Sequence, residues 1–268
     1  AHVLSCMAEN DLEGEVLGVA WDGVGLGEDR TLWGGEFLLA TQGSYRRFGH
    51  FRYFPLPGGE NAIREPRRVA VGLLYDLFDD ELYKYNDISS LKSFSSKELE
   101  LIQTTLQKKL NTPLTCGVGR LFDAVSSILG ICQESRFEGE GAMKLEFAIG
   151  ETNSNCTYPF RLVDGVVDWA RIITGILSDQ KEGVSNSEIA AAFHNTLVET
   201  IVGMAKQARN DRVVLSGGCF QNKYLIERSI HRLREEGFRC YWHQRVPPND
   251  GGISLGQIAA GAAIVRLG

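Results

Sequence analysis

Two aspartates stand in glycine-rich corners, and a histidine stands near the start of the chain. Asp22 lies in Trp21-Asp22-Gly23-Val24-Gly25-Leu26-Gly27, Asp250 in Pro247-Pro248-Asn249-Asp250-Gly251-Gly252, and His2 in Ala1-His2-Val3-Leu4-Ser5. Carboxylate and imidazole together suit a divalent cation, and the set admits zinc, iron, manganese or magnesium. Asp250 precedes a helix, where an aspartate by default caps the first N–H groups. Read as a metal ligand it needs partners, and His2 is the candidate. A helical histidine pairs well with another four positions earlier, because i and i+4 share a face. That position falls ahead of residue 1, so the sequence shows only part of such a site. Asp22, at the tip of an apolar strand, is suited to hold a magnesium ion or to orient a water. An ordinary Asp-Gly hairpin is the plain alternative.

A third corner, Val213-Val214-Leu215-Ser216-Gly217-Gly218-Cys219-Phe220-Gln221-Asn222, runs from an apolar strand through two glycines into a helix. Side-chain-free residues let a ligand lie against the backbone, and a helix start offers free N–H groups and a positive dipole end. That combination suits a nucleotide, although a tight strand-to-helix corner needs no ligand. Asn222 lies one turn into the helix, where it reaches back toward a base or ribose. Gly23, Gly25 and Gly27 leave N–H groups to cradle phosphate oxygens. The other histidines, His50, His194, His231 and His243, read as ordinary core or surface residues.

These groups need a scaffold, and composition describes one. The chain has 268 residues, enough for one large domain or two lobes, with hydrophobic and charged shares of 43% and 23% that are ordinary for a globular protein. A net charge of −6 gives no broad footprint for nucleic acid. No apolar run is long enough to span a bilayer, and no secretory leader opens the chain. Six cysteines are scattered without a CxxC pair, which argues against a zinc finger and for reduced thiols in a cytoplasmic protein. Residues 1–10 read as the inside of a helix with no starting methionine, so the chain is expected to be cut from something longer.

Residues 16–22 form an apolar strand, followed by a glycine-rich turn over 22–29 and a second strand over 31–40. A third strand is expected over 48–57, and a helix from Pro66. Residues 80–94 give no assignment. Ser95-Ser96-Lys97-Glu98 and Ser185-Asn186-Ser187-Glu188 are capping boxes, each opening a helix. Helices are also expected around 121–128, after 137–141, and over 168–177. Then strand 212–216, helix 220–236, strand 238–243 and helix 252–266 alternate. That alternation predicts an α/β fold with ligands at strand C-terminal ends.

The three corners, in this order, resemble the actin-like ATPase superfamily. Within it, seven segments are similar to the C-terminal domain of the HypF hydrogenase-maturation carbamoyltransferases. Besides the three corners these are Leu32-Trp33-Gly34-Gly35-Glu36-Phe37, Phe54-Pro55-Leu56-Pro57-Gly58-Gly59-Glu60, Ile63-Arg64-Glu65-Pro66-Arg67-Arg68 and Gly119-Arg120-Leu121-Phe122-Asp123-Ala124. The resemblance implies an α/β, two-lobed, ribonuclease H-like fold with the N-terminal part of the first lobe missing. Residues 1–15 would be a first-lobe remnant carrying a metal-ligand histidine. Residues 16–268 would be the nucleotide-binding carbamoyltransferase lobe, with a helical insertion at about 60–210.

The resemblance also implies a chemistry. Carbamoyl-adenylate, made from carbamoyl phosphate and ATP by upstream domains, gives its carbamoyl group to the C-terminal cysteine of HypE and releases AMP. His2 and Asp250 become metal ligands, and Asp22 joins them as catalytic. Gly23 and Gly25 steady phosphate or an oxyanion. Gly217, Gly218 and Asn222 hold adenine and ribose, Asp123 is a ribose-binding carboxylate, and Glu138 and Gly139 border the same pocket. No membrane or nucleic acid is implied, and the chain by itself is expected to transfer poorly. Two alternatives remain: an enzyme of the same fold that carbamoylates hydroxyl groups or threonylcarbamoylates tRNA, and a non-catalytic nucleotide-binding module.

Overall fold

The structure, a computed structural model, describes residues 1–85 and 87–267. After helix α1 (His2–Glu9) the chain lays down an antiparallel meander, β1 (Val16–Leu26), β2 (Leu32–Ala40) and β3 (Tyr45–Phe51). The expected turn over 22–29 is instead the continuation of β1. Pairing runs to Trp21↔Gly35 and resumes at Gly25↔Trp33, so Asp22, Gly23 and Val24 stand opposite Gly34 alone. That is a bulge, which bends a strand and re-aims a side chain without ending the ladder. The true turn is later, closed by the Gly27 N–H donating to the Thr31 carbonyl at 2.9 Å.

The third expected strand is broken. β3 stops at Phe51, and β4 (Phe54–Pro55) is a short separate piece; Pro55 has no N–H for a ladder. Helices α2 (Glu60–Arg64) and α3 (Pro66–Phe78), a 3-10 turn over 79–84, α4 (Ser89–Lys92) and α5 (Ser96–Gln107) follow. Next come β5 (Leu114–Thr115), α6 (Val118–Ile128), α7 (Glu140–Ala148), β6 (Arg161–Val163), β7 (Val166–Asp168), α8 (Ala170–Glu182) and α9 (Asn186–Ala208). Residues 60–210 are therefore not purely helical. β5 pairs with β2 and β7 runs parallel to β3, so this stretch extends the same sheet. Strands of two or three residues carry no periodicity, which hid them from the sequence reading.

The chain closes with β8 (Arg212–Ser216), a 3-10 turn over 218–221, α10 (Lys223–Glu235), β9 (Arg239–Trp242) and α11 (Ile253–Leu267). Among the described residues the sheet order is β6-β7-β3-β2-β1-β8-β9, with β1, β8 and β9 parallel. Both capping boxes form, at Ser95 with Glu98 and at Ser185 with Glu188. β1 is central and buried along most of its length, which its apolar run Val16–Trp21 allows. Beneath it Trp21 meets Phe37, Phe51 and Phe220 at ring distances of 5.8, 5.4 and 5.6 Å. The core thus ends directly under Asp22, on a rigid aromatic floor. Among the described residues no helix is long and apolar enough to cross a membrane.

Candidate metal and nucleotide site

The three corners meet. Gly217 donates its N–H to the Pro248 carbonyl at 2.9 Å, tying the β8 corner to the loop that carries Asp250. A Cβ on Gly217 would lie 2.1 Å from the Trp21 carbonyl oxygen, and a Cβ on Gly218 would lie 2.9 Å from Asp22 Oδ1. The glycine pair is thus required by the close approach of β1. The space beside it is filled by the Trp21 carbonyl and the Asp22 carboxylate, not left open as the sequence suggested.

Around this crossing, His2 Nε2 lies 3.1 Å from Asp22 Oδ2 and 3.8 Å from Asp250 Oδ1. One ligand atom from each of the three side chains falls within 4.8 Å of the others. The bulge turns Asp22 toward α1. Asp250 is free because the neighbouring Asn249 does the capping, its Oδ1 accepting from Gly251 N–H at 3.1 Å. The Asp250 side chain is accordingly 86% exposed. Burial pushes the Asp22 carboxyl up, but hydrogen bonds from His2, Gly23 and Gly218 outweigh it and hold the group below the usual carboxylate range. His2 Nδ1 is buried and has no partner. One imidazole nitrogen, Nε2, and two carboxylates converge, a donor set that fits a divalent cation with a mixed N/O preference. Asp22 thereby joins His2 and Asp250 as a third candidate ligand, beyond the pair assigned from sequence.

Side chains that sequence reasoning did not single out set this spacing. Glu9, at the end of α1, accepts N–H bonds from Gln244 and Arg245 at 3.1 and 2.6 Å and contacts His243 Nδ1 at 3.0 Å. Burial opposes its charge, but these backbone donors and His243 hold its carboxyl low. Ser216 Oγ sits 2.8 Å from His243 Nε2 and 2.8 Å from the His2 carbonyl. The helix bearing His2 and the loop bearing Asp250 are therefore locked to the same strand end. His243, read from sequence as ordinary, is part of this lock.

The assigned nucleotide residues divide. Gly23 donates its N–H to Asp22 Oδ1 at 2.7 Å, so that donor is already engaged and does not cradle phosphate as expected. Gly25 is paired across the ladder with Trp33, and a Cβ there would meet only the Trp33 carbonyl, at 3.8 Å. Asp123 is buried on α6, 3.0 Å from Arg120 Nη2; burial first, then the charge of Glu138 against the opposing pull of Arg120, moves its carboxyl up to about 6. Glu138 and Gly139 are exposed on the loop ahead of α7, with Gly139 left-handed at φ 81°. Asn222 caps α10: its Oδ1 accepts from Leu225 N–H at 2.8 Å and its Nδ2 lies 2.9 Å from His194 Nε2. Only its second Nδ2–H is left for a ligand, so the expected reach to a base is largely taken up inside the protein.

His194 fixes that amide. Its Nδ1 lies 2.7 Å from the Ala190 carbonyl, so Nδ1 carries the proton and Nε2 accepts from Asn222. Burial lowers its pKa to about 4. The unfolded chain takes up this proton near pH 6.5 and the folded chain does not until about pH 4, so stability falls across that window by about 3 kcal/mol as pH drops. Asp123, raised to about 6, acts with the opposite sign, since its contribution is lost as pH rises. The two partly cancel in the native chain. His194→Gln removes one of them: the stability gap between native and variant, read from urea unfolding, shrinks by about 3 kcal/mol between pH 7 and 4. A gap independent of pH contradicts this assignment.

A cavity of about 640 Å³ opens on the cluster and is lined by His2, Asp22, Gly25, Trp33, Glu36 and Asp250, among others. A second cavity of about 640 Å³ lies between α9 and α10, where Glu199 and Arg232 are already paired. It touches none of the three corners, so the first is the candidate site. No cysteine at the site is a ready nucleophile: burial raises the Cys219 thiol well above its usual value, and the Asp22 and Asp123 carboxylates add to the effect.

Residues 18–257 match the family described as carbamoyltransferase, Kae1-like domain, second subdomain. The chain is 38% identical over 277 residues to carbamoyltransferase HypF of Synechocystis sp., covering 97% of this chain and 36% of that protein. It is 33% identical over 261 residues to the probable carbamoyltransferase HypF of Methanocaldococcus jannaschii, covering 96% and 34%. A crystal structure of full-length HypF in a phosphate- and nucleotide-bound form superposes with a TM-score of 0.91 at 39% identity, over 98% of this chain and 42% of that one. That of T. kodakarensis HypF gives 0.87 at 30%, over 99% and 36%. The chain thus spans about a third of the length of these curated relatives. Its mixed α/β sheet, its three converging corners and these matches together make it a member of the HypF carbamoyltransferase family, in the Kae1-like, actin-like ATPase type of fold.

Proposed function

We propose that this chain is the station at which a carbamoyl group passes from carbamoyl-adenylate to a thiol, the C-terminal cysteine of HypE, with release of AMP. The observation that carries the reading is the meeting of His2, Asp22 and Asp250 beside the Gly217-Gly218 corner, in one cavity. In the reaction the thiolate sulfur bonds to the carbamoyl carbon, the carbon–oxygen bond to phosphate breaks, and AMP leaves with that electron pair. His2, Asp22 and Asp250 would hold a divalent ion, which when bound would supply a Lewis acid for the carbonyl or phosphoryl oxygen. Asp22, held ionised by its hydrogen bonds, keeps negative charge where a cation sits and keeps His2 oriented. The resemblance gives Asp123, Glu138 and Gly139 to the ribose, and none of the three lines the cavity at the metal cluster. The thiol comes from the partner, in keeping with the burial that holds the Cys219 thiol well above its usual range.

Asp250 separates this reading from a non-catalytic nucleotide module. Its side chain is exposed, and the neighbouring helix cap is made by Asn249 instead. Asp250→Ala is expected to reduce transfer to a cysteine-ended peptide by about 100-fold or more, with AMP affinity nearly unchanged. The assay uses carbamoyl-adenylate, native chain and variant side by side. Equal transfer by both contradicts the proposal.

A further inference from the structure

Arg120 is the most anomalous side chain near the site. It is 2% exposed, and neither its Nε nor its Nη1 has a hydrogen-bond partner. Its Nη2 lies 3.0 Å from Asp123 Oδ2, and a Cβ placed on Gly23 would come 3.0 Å from the same nitrogen. The guanidinium is thus pressed against the bulge in β1, directly behind the Asp22 corner. The N-terminus of α6 packs there as well, since a Cβ on Gly119 would lie 2.7 Å from Gly23 Cα. Burying a cation with unmet donors is costly, and the pairing with Asp123 engages only the Nη2 end of the guanidinium. The arginine therefore needs a reason other than packing.

The corner supplies one. The donors first suited to phosphate are already engaged, Gly23 N–H by Asp22 and Gly217 N–H by Pro248. The acidic groups Asp22, Asp123, Glu138 and Asp250 surround the same region. Without a fixed cation this region would repel a phosphate.

We propose that Arg120 is a specificity-determining residue: it is the fixed positive charge behind the Gly23 turn that makes the site prefer a nucleoside phosphate over the bare nucleoside. The inference rests on the nucleotide-binding reading above and deepens it. The charge acts through the turn, in a low-dielectric setting where it is little screened. It bears on the phosphate through the turn, and on the ribose only indirectly, through its ion pair with Asp123.

Calorimetric titrations of the chain with AMP and with adenosine, in chelator-treated buffer so that no divalent ion carries the phosphate, test this. The native chain binds AMP more tightly than adenosine. Arg120→Met lowers AMP affinity by about tenfold more than it lowers adenosine affinity, removing most of the preference. Arg120→Lys keeps part of it. Cooperative urea unfolding is the folding control, and Arg120→Gln replaces the Met variant if that one does not unfold cooperatively. A native preference for AMP that survives the loss of Arg120, or AMP and adenosine falling together, overturns the proposal. A native chain that binds adenosine and AMP equally overturns it while sparing nucleotide binding. A native chain that binds neither overturns the parent reading and this one with it.

Discussion

Asp22→Ala abolishes divalent-ion binding by the chain, lowering affinity by about 100-fold or more, while the protein remains folded. Asp22 is the carboxylate nearer to His2. It lies 3.1 Å from His2 Nε2, and it is much less exposed than Asp250 (25% against 86% for the side chains). A buried carboxylate attracts a cation more strongly than one in open water, because less solvent screens it. Its removal also frees Gly23 N–H, which now donates to it at 2.7 Å, and this relaxes the bulge. Asp22→Asn separates the two effects: the amide oxygen still accepts from Gly23, but the charge is gone. Titration with manganese or zinc is expected to show loss of binding in both variants, with a clear loss of thermal stability only in the alanine variant. Retention of metal affinity by the asparagine variant contradicts the role given to the charge.

Gly217→Ala is expected to be among the most destabilising single-methyl additions in the molecule, costing about 3 kcal/mol or more. Gly217 has φ 104°, and its added Cβ would lie 2.1 Å from the Trp21 carbonyl oxygen and 2.8 Å from the Trp21 nitrogen. Those are backbone atoms of the central strand, so nothing flexible yields. Gly139 is the control. It has φ 81° but nothing within 4 Å of an added Cβ, so Gly139→Ala costs only about 1 kcal/mol of backbone strain. Urea unfolding of the two variants measures the difference. Equal losses would mean that strain at positive φ, and not the crossing of β1 by the β8 corner, explains the requirement for glycine.

Much of the fold was legible from local signals. The two capping boxes at Ser95 and Ser185 mark helices that form, and the alternation after residue 212 marks the β8-α10-β9-α11 run. Where partners are distant in sequence, local reading stopped. Glycines 217 and 218 are compatible with an open ligand surface until Trp21 and Asp22 are seen beside them. The bulge at Asp22 looks like a turn because Asp-Gly is a turn signal, and only the pairing with β2, which resumes at Gly25, carries the strand through. His194 and Asn222 are 28 positions apart, and Glu9 and His243 are 234 apart, so neither contact has a sequence signature. Arg120 had one: three residues before Asp123 on a helix, it shares that residue's face.

The central claim is that His2, Asp22 and Asp250 hold one divalent ion in the cavity that takes the nucleotide. Anomalous diffraction at the manganese edge, from crystals of the chain soaked with manganese and AMP, tests it most directly. The account predicts one strong peak within about 2.0–2.5 Å of His2 Nε2 and of a carboxylate oxygen from each of Asp22 and Asp250, with AMP density beside it. AMP bound at this corner with no peak among these three side chains, or a peak elsewhere on the molecule, would contradict it.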